Sequence, residues 1–460
     1  MTQAQVKKMN NIFAISPLDG RYSSKVSSIQ PIMSEYGLIY YRLFVEIHWL
    51  IVLTETRKIK EASALSKAQK HQLLGILDNF SEADANHIKE IEKTTNHDVK
   101  AIEYFLQEQL TRLDLQMLIP FVHFACTSED INNLAYALML KEARNSTLLP
   151  MMHEVTKLLK MFSHENSDIS MLSRTHGQPA SPTTLGKEFA NFAHRLDRQI
   201  NLLENQPILA KINGAVGNFN AHKCAYSNID WPNLSKKFIE SLGLIYNPFT
   251  TQIENHDSLA ELLQAISRFN TILIGLNRDI WSYISIGYFN QKKVENEVGS
   301  STMPHKINPI DFENSEGNLG IANAIADHLA QKLPISRWQR DLSDSTVLRN
   351  LGTVFGYSLI AYQATLKGLQ KLEVNSDAIH ADLNQHWEVL GEAIQTVMRR
   401  YGITDAYEQL KKFSRGEKLT QEKIALFIKE INIPDDAKNE LLKLTPHNYI
   451  GYANILVKDY

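Results

Sequence analysis

Cysteine is scarce in this sequence: Cys126 and Cys224 are the only two among 460 residues. Two cysteines are too few for a disulfide framework or for a zinc site built from cysteine thiolates. Such scarcity is typical of proteins that reside in a reducing compartment. We expect both to be small buried side chains, which is the common position of a free cysteine.

A strong excess of either charge is also lacking. The sequence has 48 basic and 51 acidic residues, for a formal net charge of -3, and the two signs are well mixed. Without a long basic run there is no electrostatic footprint for nucleic acid or for an anionic membrane. We therefore expect no nucleic-acid partner and no membrane partner, although local arginines could still hold small anions.

The sequence has no apolar segment of the kind that directs secretion. Residues 1–11 are polar, and the most apolar early stretch, residues 43–53, is interrupted by Glu46 and His48. A secretory signal needs a continuous apolar core, and a membrane-spanning helix needs about 20 apolar residues. These features predict a cytoplasmic protein.

Long stretches of the sequence repeat apolar residues every three or four positions, a spacing that predicts helices. The longest lies at residues 258–286, and another lies at residues 145–165. The length of 460 residues exceeds one ordinary hydrophobic core, which predicts two or three domains. We predict an all-α fold with a helical domain at residues 1–117, a central bundle of long helices at residues 118–372, and a small helical domain at residues 373–460.

Residues 299–309, Gly-Ser-Ser-Thr-Met-Pro-His-Lys-Ile-Asn-Pro, form a polar segment between two predicted helices. Pro304 and Pro309 interrupt regular structure, so the segment is predicted to be a loop. A surface loop is the ordinary interpretation of such a stretch. Long buried helices on both sides, however, would hold this loop on a rigid frame, which suits a catalytic loop.

Other polar segments also interrupt the helical pattern. Residues 16–22, Ser-Pro-Leu-Asp-Gly-Arg-Tyr, are a turn-forming run. Residues 94–99, Thr-Thr-Asn-His-Asp-Val, precede a helix that Thr95 or Asn96 could cap, with Asp98 in its first turn. Capping does not explain His97, whose role at a site is left open.

Two further segments have a similar form. Residues 123–133 lead into a helix that Thr127 or Ser128 could cap. Residues 173–182 place His176 beside Gly177 and two prolines, in a predicted loop between two helices. A lone histidine in a loop is usually a surface residue, but rigid helices on both sides would again suit a functional loop.

Residues 211–218 and residues 336–350 allow less specific interpretations. The first is a glycine-bearing loop, but its spacing fits neither a P-loop nor a dinucleotide fingerprint, so we reject both. The second carries three arginines among hydroxyl and acidic side chains. Alternating charge of this kind is, by itself, typical of a solvated helix face.

Segment 299–309 resembles the signature of the superfamily that comprises fumarases, aspartases, argininosuccinate lyases and adenylosuccinate lyases. Segments 123–133 and 173–182 resemble the other two regions that this superfamily shares. Asp-Gly-Arg-Tyr at residues 19–22 and Gln-Arg-Asp-Leu-Ser-Asp-Ser at residues 339–345 resemble the adenylosuccinate lyases in particular. The resemblance extends over roughly residues 16–372.

This resemblance implies an enzyme that eliminates fumarate from adenylosuccinate and from the related succinyl-carboxamide ribotide, without a cofactor or a metal. It implies Ser300 as the general base and His176 as the general acid. It also implies a homotetramer whose active sites are shared between subunits, with small-molecule nucleotides as substrates. The substrate-binding residues that it implies are Arg21, Tyr22, Asn96, His97, Asp98, Thr127, Ser128, Gln252, Ser301, Lys306, Asn308, Asn314, Arg340, Ser345, Thr346 and Arg349.

Two alternatives stay open on the sequence alone. An argininosuccinate lyase, or another fumarate-releasing enzyme, would share the signature and the His176 segment but would not explain residues 19–22 and 339–345. A catalytically silent helical scaffold is the other alternative. The presence of Ser300, Lys306, Asn308 and His176 disfavours it.

Overall fold

The computed structural model describes residues 11–62, 64–292, 303, 306–415, 419–458 and 460. Helices hold most of these residues, so the fold is all-α, as the apolar spacing predicts. The α-helices are α1 (Gln30–Met33), α2 (Glu35–Glu55), α3 (Lys67–Asp78), α4 (Glu82–Thr95), α5 (Asp98–Arg112), α6 (Ser128–Ala143), α7 (Leu149–Glu165), α8 (Leu185–Asn205), α9 (Asn220–Ala225), α10 (Trp231–Ser241), α11 (Asp257–Ser285), α12 (Ile310–Lys332), α13 (Ser343–Leu348), α14 (Leu351–Lys371), α15 (Ser376–Asn384), α16 (Gly391–Arg400), α17 (Ala406–Ser414), α18 (Gln421–Glu430), α19 (Asp435–Leu442) and α20 (Ala453–Lys458).

Short strands and tight helical turns connect these helices. Within the described residues, six strands pair two by two: β1 with β2 and β5 with β6 antiparallel, and β3 with β4 parallel. The strands are β1 (Ser170–Thr175), β2 (Gln178–Thr184), β3 (Leu209–Ala210), β4 (Ile245–Tyr246), β5 (Phe289–Gln291) and β6 (Leu372–Val374). The 3-10 helices are Asn11–Phe13, Ser23–Lys25, Gln116–Phe121 and Trp387–Leu390, and one π-helix is Arg144–Leu148.

The predicted helices are confirmed where the apolar spacing was clearest. The prediction at residues 258–286 corresponds to α11, and residues 145–165 form the π-helix followed by α7. After residue 372 the helices have six to ten residues, as the glycines and prolines there indicate. The expectation of two buried cysteines is wrong for Cys224, which is exposed, whereas Cys126 is half-buried.

The chain divides into two compact units. The first contains Met1–Met152, Gln199–Thr271 and Gly317–Tyr362, and the second contains His153–Arg198, Ile272–Glu316 and Gln363–Tyr460. The predicted domain boundaries, after residues 117 and 372, stay a prediction.

The core of the first unit is built around α2. Ser34 caps this helix by accepting a hydrogen bond from the Gly37 N–H. Trp49, which is fully buried, packs against Phe238 and Trp231 with ring centroids 5.2 and 6.4 Å apart. Burying an aromatic side chain of this size stabilises the fold by about 1.5–3 kcal/mol. Replacing Trp49 with alanine would therefore open a cavity in this core.

Two helices, α2 and α11, are long and apolar enough to cross a membrane by length and composition alone. Much of each helix is buried inside the protein, however: 72% of the most apolar 18-residue stretch of α2 and 61% of that of α11. The core helices of soluble proteins commonly meet the same criteria. Glu46, which interrupts the apolar stretch of α2, is itself buried and lies 2.6 Å from His123 Nδ1.

The second unit has a separate apolar cluster among its short C-terminal helices. Leu390, Ile394 and Met398 of α16 and its preceding turn pack with Ile424 and Ile428 of α18. These five side chains recur at helical spacing, so one face of each helix is apolar. The cluster gives the residues after α14 a core of their own.

Candidate active site

His176 lies at the tip of a β-hairpin formed by β1 and β2, so the prediction of an irregular loop is wrong. His176 and Gly177 are the two turn residues, and their φ angles are 53° and 74°. Positive φ at both central positions is typical of the tight turns that match the twist of a hairpin, and glycine favours them. The prolines that suggested a loop, Pro179 and Pro182, instead lie within β2. The His176 side chain is exposed to solvent.

His97, not Thr95 or Asn96, is the N-cap of α5, which corrects the predicted cap. Its Nδ1 accepts a hydrogen bond from the Lys100 N–H at 3.1 Å. Asn96 ends α4 in the left-handed conformation, with φ of 50°, and therefore cannot serve as the cap. Asp98 occupies the first turn of α5, as predicted.

Thr127 is the N-cap of α6, in agreement with one of the two predicted caps. It forms a capping box with Asp130, whose Oδ2 accepts the Thr127 N–H at 2.8 Å. Thr127 and Ser128 are half-buried at the start of the helix. Free N–H groups and the helix dipole make such a terminus favourable for a carboxylate.

A fully buried ion pair lies directly beneath this helix start. Lys211 Nζ is 2.9 Å from Asp130 Oδ1, and neither side chain is exposed. Asp130 also accepts the backbone N–H groups of Asn213 and Gly214. Asp130 therefore links two segments by hydrogen bonds: the start of α6 at Thr127 and the glycine-bearing loop at residues 211–218, which matched no nucleotide-binding motif.

Several predicted binding residues of the first unit meet in one ion-pair network. It contains Glu35, Arg349, Asp98, Arg42, Asn132, Glu129, Arg340 and Gln252. Arg349 contacts Glu35 Oε2 at 2.7 Å and Asp98 Oδ2 at 2.9 Å, and Arg42 contacts the same Asp98 oxygen at 2.7 Å. Burial alone would raise the pKa of the Asp98 carboxyl, but Arg42 and Arg349 hold it below its usual value.

The network continues from Arg42 toward Gln252. Arg42 Nε donates to Asn132 Oδ1 at 2.8 Å, and Asn132 donates to Glu129 Oε1 at 2.7 Å. Arg340 lies 3.1 Å from that Glu129 oxygen and donates to Gln252 Oε1 at 3.2 Å. Three arginines thus balance three carboxylates, and the predicted residues Asp98, Arg340, Arg349 and Gln252 are brought together.

Arg349 also lines a cavity of about 340 Å³. Its other lining residues include Ser16 and Asp19, which belong to the turn-forming run before Arg21, and Glu35. Arg21 itself is exposed and lies over the ring of Tyr22, at 5.9 Å from its centroid. The N-terminal run and Arg349 therefore share one concave surface.

The remaining predicted residues fall into three groups. Ser345 and Thr346 lie on α13, where the Ser345 N–H donates to Asp344 Oδ1 at 2.7 Å. Lys306 is exposed, and Asn308 and Asn314 are half-buried, in the second unit. Ser300 and Ser301 lie outside the described residues, so their predicted roles stay predictions.

Sequence reasoning missed four members of the network: Glu35, Arg42, Glu129 and Asn132. Arg42 is only 1% exposed, and Glu129 is only 2% exposed. A charged residue is rarely buried without a partner. The position of Arg42 inside the apolar repeat of α2 was therefore a signal that could have marked it.

The described residues contain no group of three or more histidine, cysteine, aspartate or glutamate side chains placed to hold a metal ion. The expectation of a reaction without metal or cofactor stays a prediction.

Two family models match this chain. One, described as lyase, matches residues 20–325, and the other, described as adenylosuccinate lyase C-terminal, matches residues 336–450. Together they extend over most of the sequence, and the second matches the region that follows the signature segment.

Full-length relatives are similarly informative. An adenylosuccinate lyase of Vibrio cholerae is 57% identical over 97% of this chain and 98% of that protein. The adenylosuccinate lyases of Haemophilus influenzae and Escherichia coli K12 are 55% and 54% identical, each over 98% of this chain and 99% of the relative.

Solved structures share the fold at much lower identity. A fumarate lyase from Mesorhizobium sp. BNC1 has a TM-score of 0.75 at 16% identity, covering 94% of this chain and 97% of that one. A 3-carboxy-cis,cis-muconate lactonizing enzyme from Pseudomonas putida has a TM-score of 0.73 at 19% identity, with 94% and 96% covered. From the full-length relatives and the two family models, this chain belongs to the adenylosuccinate lyase family.

Proposed function

We propose that this chain eliminates fumarate from adenylosuccinate, leaving AMP, and from succinyl-aminoimidazole-carboxamide ribotide, leaving AICAR. The observation that carries the proposal is the 57% identity over nearly the whole chain with a protein named adenylosuccinate lyase. The reaction breaks a carbon–nitrogen bond and belongs to purine nucleotide synthesis. The protein is expected to act in the cytoplasm.

The chemical difficulty is the removal of a proton from the carbon beside a carboxylate. The carbanion that forms places further negative charge on a group that is already anionic, so fixed donors and cations at that group are the main catalytic need. Lys306 and Asn308, two residues apart outside any helix, can converge on one anion. Thr127 and Ser128 offer hydroxyl donors at a helix start.

Two residues would move protons. Ser300 would take the carbon-bound proton, which requires an environment that stabilises its alkoxide. His176 would then protonate the leaving nitrogen, a task suited to imidazole near neutral pH. Its place on a two-residue turn supports this role, because the turn presents the imidazole outward from a paired strand.

The nucleotide phosphate would bind to arginine guanidinium groups, which match phosphate oxygens with paired donors. The proposed arginines are Arg21, Arg340 and Arg349, and Tyr22 and Ser345 complete the set with hydroxyl donors. Arg349 pairs with Glu35 and Asp98 and is 40% exposed, so its solvent-facing donors can meet a phosphate. The two carboxylates hold the guanidinium in place before the substrate arrives.

The proposed assembly is a homotetramer with active sites shared between subunits. This proposal rests on the family resemblance. A sizing column in line with light scattering should give a mass near four chains of 52.4 kDa. A fully active monomer would contradict it.

The residue roles are tested in one set of variants with adenylosuccinate as substrate. Wild-type protein should release fumarate and AMP in equal amounts, whereas a silent scaffold would release neither. Ser300→Ala and His176→Asn should lose turnover while still binding the substrate. Arg349→Ala should raise the KM for the nucleotide substrate with a smaller effect on kcat. Normal turnover in Ser300→Ala together with an inactive Ser301→Ala would reassign the base.

A further inference from the structure

One face of strand β1 rests on the short helices that follow residue 375. Side chains two residues apart in a strand point to the same face, so Ser170, Leu172 and Arg174 share one face. All three meet residues of the C-terminal region of the same unit. His176 follows two residues after Arg174 at the turn.

The contacts of this face are apolar at its centre and polar at its ends. Leu172, Leu383 and Val389 form a small buried cluster in which no side chain is more than 7% exposed. Ser170 Oγ lies 3.3 Å from His447 Nδ1. The strand therefore contacts the turn before α20 at its start, and α15 and the 3-10 helix that follows it at its middle.

Of the three residues on this face, Arg174 is the nearest to His176 in sequence, and its contact is an ion pair. Arg174 lies 2.5 Å from Asp382 Oδ2 on α15, and the Tyr288 hydroxyl donates to the same oxygen at 2.5 Å. The second oxygen of Asp382 faces His386 Nε2 at 3.4 Å. Asp382 and Arg174 are 24% and 32% exposed, so their interaction is partly shielded from water.

Strand β2 also contacts the C-terminal region, at a point where its pairing with β1 is irregular. Met171 pairs with Thr183 and Ser173 pairs with Ala180, so Ser181 and Pro182 together lie opposite the single residue Leu172 and form a bulge with one extra residue. Proline lacks an N–H donor and is therefore tolerated at such a position. The Ser181 hydroxyl donates to Glu392, which also accepts from the Tyr449 hydroxyl at 3.0 Å.

We infer that Asp382 is a positioning residue that fixes the orientation of the His176 hairpin through Arg174. The inference rests on the proposed function of His176 as the proton donor. A two-residue turn leaves little independent freedom between Arg174 and His176, so the ion pair limits where the imidazole points. It assigns a role in the reaction to the C-terminal helices, which contribute none of the predicted binding residues.

The test compares Asp382→Asn with Glu388→Gln. Glu388 contacts His386 at 2.7 Å in the same cluster, but no hydrogen bond or ion pair joins it to the described residues of the hairpin, which makes it a matched control. A displacement of about 1 Å at a reacting group can lower turnover by about a hundredfold. We expect Asp382→Asn to lower kcat about tenfold or more with KM changed less than about twofold, while Glu388→Gln keeps both constants.

A second measurement reports on the hairpin independently of the enzyme's activity. Amide hydrogen exchange, measured by mass spectrometry on peptides from residues 170–184, should become faster in Asp382→Asn and stay unchanged in Glu388→Gln. Asp382→Glu, which can still reach the guanidinium, should recover part of the lost turnover. If Asp382→Asn folds poorly, turnover and amide exchange are measured on Asp382→Glu in its place.

The outcomes separate this inference from the proposed function. Unchanged kcat and unchanged exchange in Asp382→Asn would overturn the inference, as would an equal loss in Glu388→Gln. If wild-type protein does not turn over adenylosuccinate, or if His176→Asn stays active, the proposed function fails. Hydrogen exchange then still decides whether Asp382 fixes the hairpin.

Discussion

Replacement of Asp130 with asparagine should destabilise this protein far more than an ordinary capping substitution. Asp130 is the only described acid within ion-pair distance of the fully buried Lys211, and it also accepts three backbone N–H groups, from Thr127, Asn213 and Gly214. The amide would leave a buried ammonium group without a counter-charge. Its NH₂ group would also face donors where the carboxylate accepted hydrogen bonds.

The expected loss follows from these contacts. Breaking a buried ion pair by removing one partner costs about 3–5 kcal/mol. The entropy of unfolding near 60 °C is about 2.1 cal/mol/K per residue, which is about 1 kcal/mol/K for 460 residues unfolding together. The midpoint of thermal unfolding, Tm, should therefore fall by about 3–5 °C.

The assay is thermal unfolding followed by circular dichroism at one protein concentration, because subunit association would make Tm depend on concentration. Asp84→Asn is the matched control. Asp84 occupies the same position of an exposed capping box at α4, where its Oδ2 accepts the Ser81 N–H at 2.9 Å, without a buried lysine. We expect it to cost about 1 kcal/mol.

The double variant Asp130→Asn/Lys211→Met should recover part of the stability, since it removes the unpaired charge. Equal Tm losses for Asp130→Asn and Asp84→Asn would refute the reasoning, because they would mean that the buried lysine adds nothing.

Two further predictions concern buried or strained positions. His222 is fully buried, its ring nitrogens have no hydrogen-bond partner among the described residues, and burial lowers its pKa to about 4. As pH falls, the His222 imidazole is protonated in the unfolded chain before it is protonated in the folded chain, so the free energy of unfolding should fall by up to about 3 kcal/mol between about pH 6.5 and about pH 4. The decrease in Tm from pH 7.5 to pH 5 should therefore be smaller in His222→Leu than in the wild-type protein. Equal decreases would contradict this. Gly217 and Gly287 both have positive φ, 81° and 79°, but only a Cβ at Gly217 would meet a backbone atom, the Thr250 oxygen at 2.4 Å. Gly217→Ala should therefore lower Tm more than Gly287→Ala, and the reverse order would be inconsistent with the clash.

Local sequence patterns predicted the elements that depend on local physics. The apolar spacing located α11, because one helical face must be buried, and the Thr127 cap followed from a side chain acting on its own helix. The cap of α5 was misassigned because histidine is an uncommon N-cap, although its Nδ1 can accept a hydrogen bond as a hydroxyl does.

The rest depends on contacts between distant parts of the chain. The hairpin at His176 was missed because prolines usually exclude strands, and only the pairing with β1 and the bulge at Pro182 explain their place. Arg349 and Asp98 are 251 positions apart, and Arg340 meets the buried Glu129 from another segment. No local pattern encodes such pairs, so the sequence predicted Arg340, Arg349 and Asp98 but not Glu35 and Glu129, the other two carboxylates of the network.

A single competition experiment tests most directly whether this chain acts on adenylosuccinate and not on the substrates of related lyases. Purified protein is incubated with equal concentrations of adenylosuccinate, argininosuccinate and malate, and fumarate, AMP and arginine are quantified by mass spectrometry. We expect AMP and fumarate in equal amounts, with no arginine and no loss of malate. Arginine formation, malate consumption, or the absence of any product would contradict this expectation.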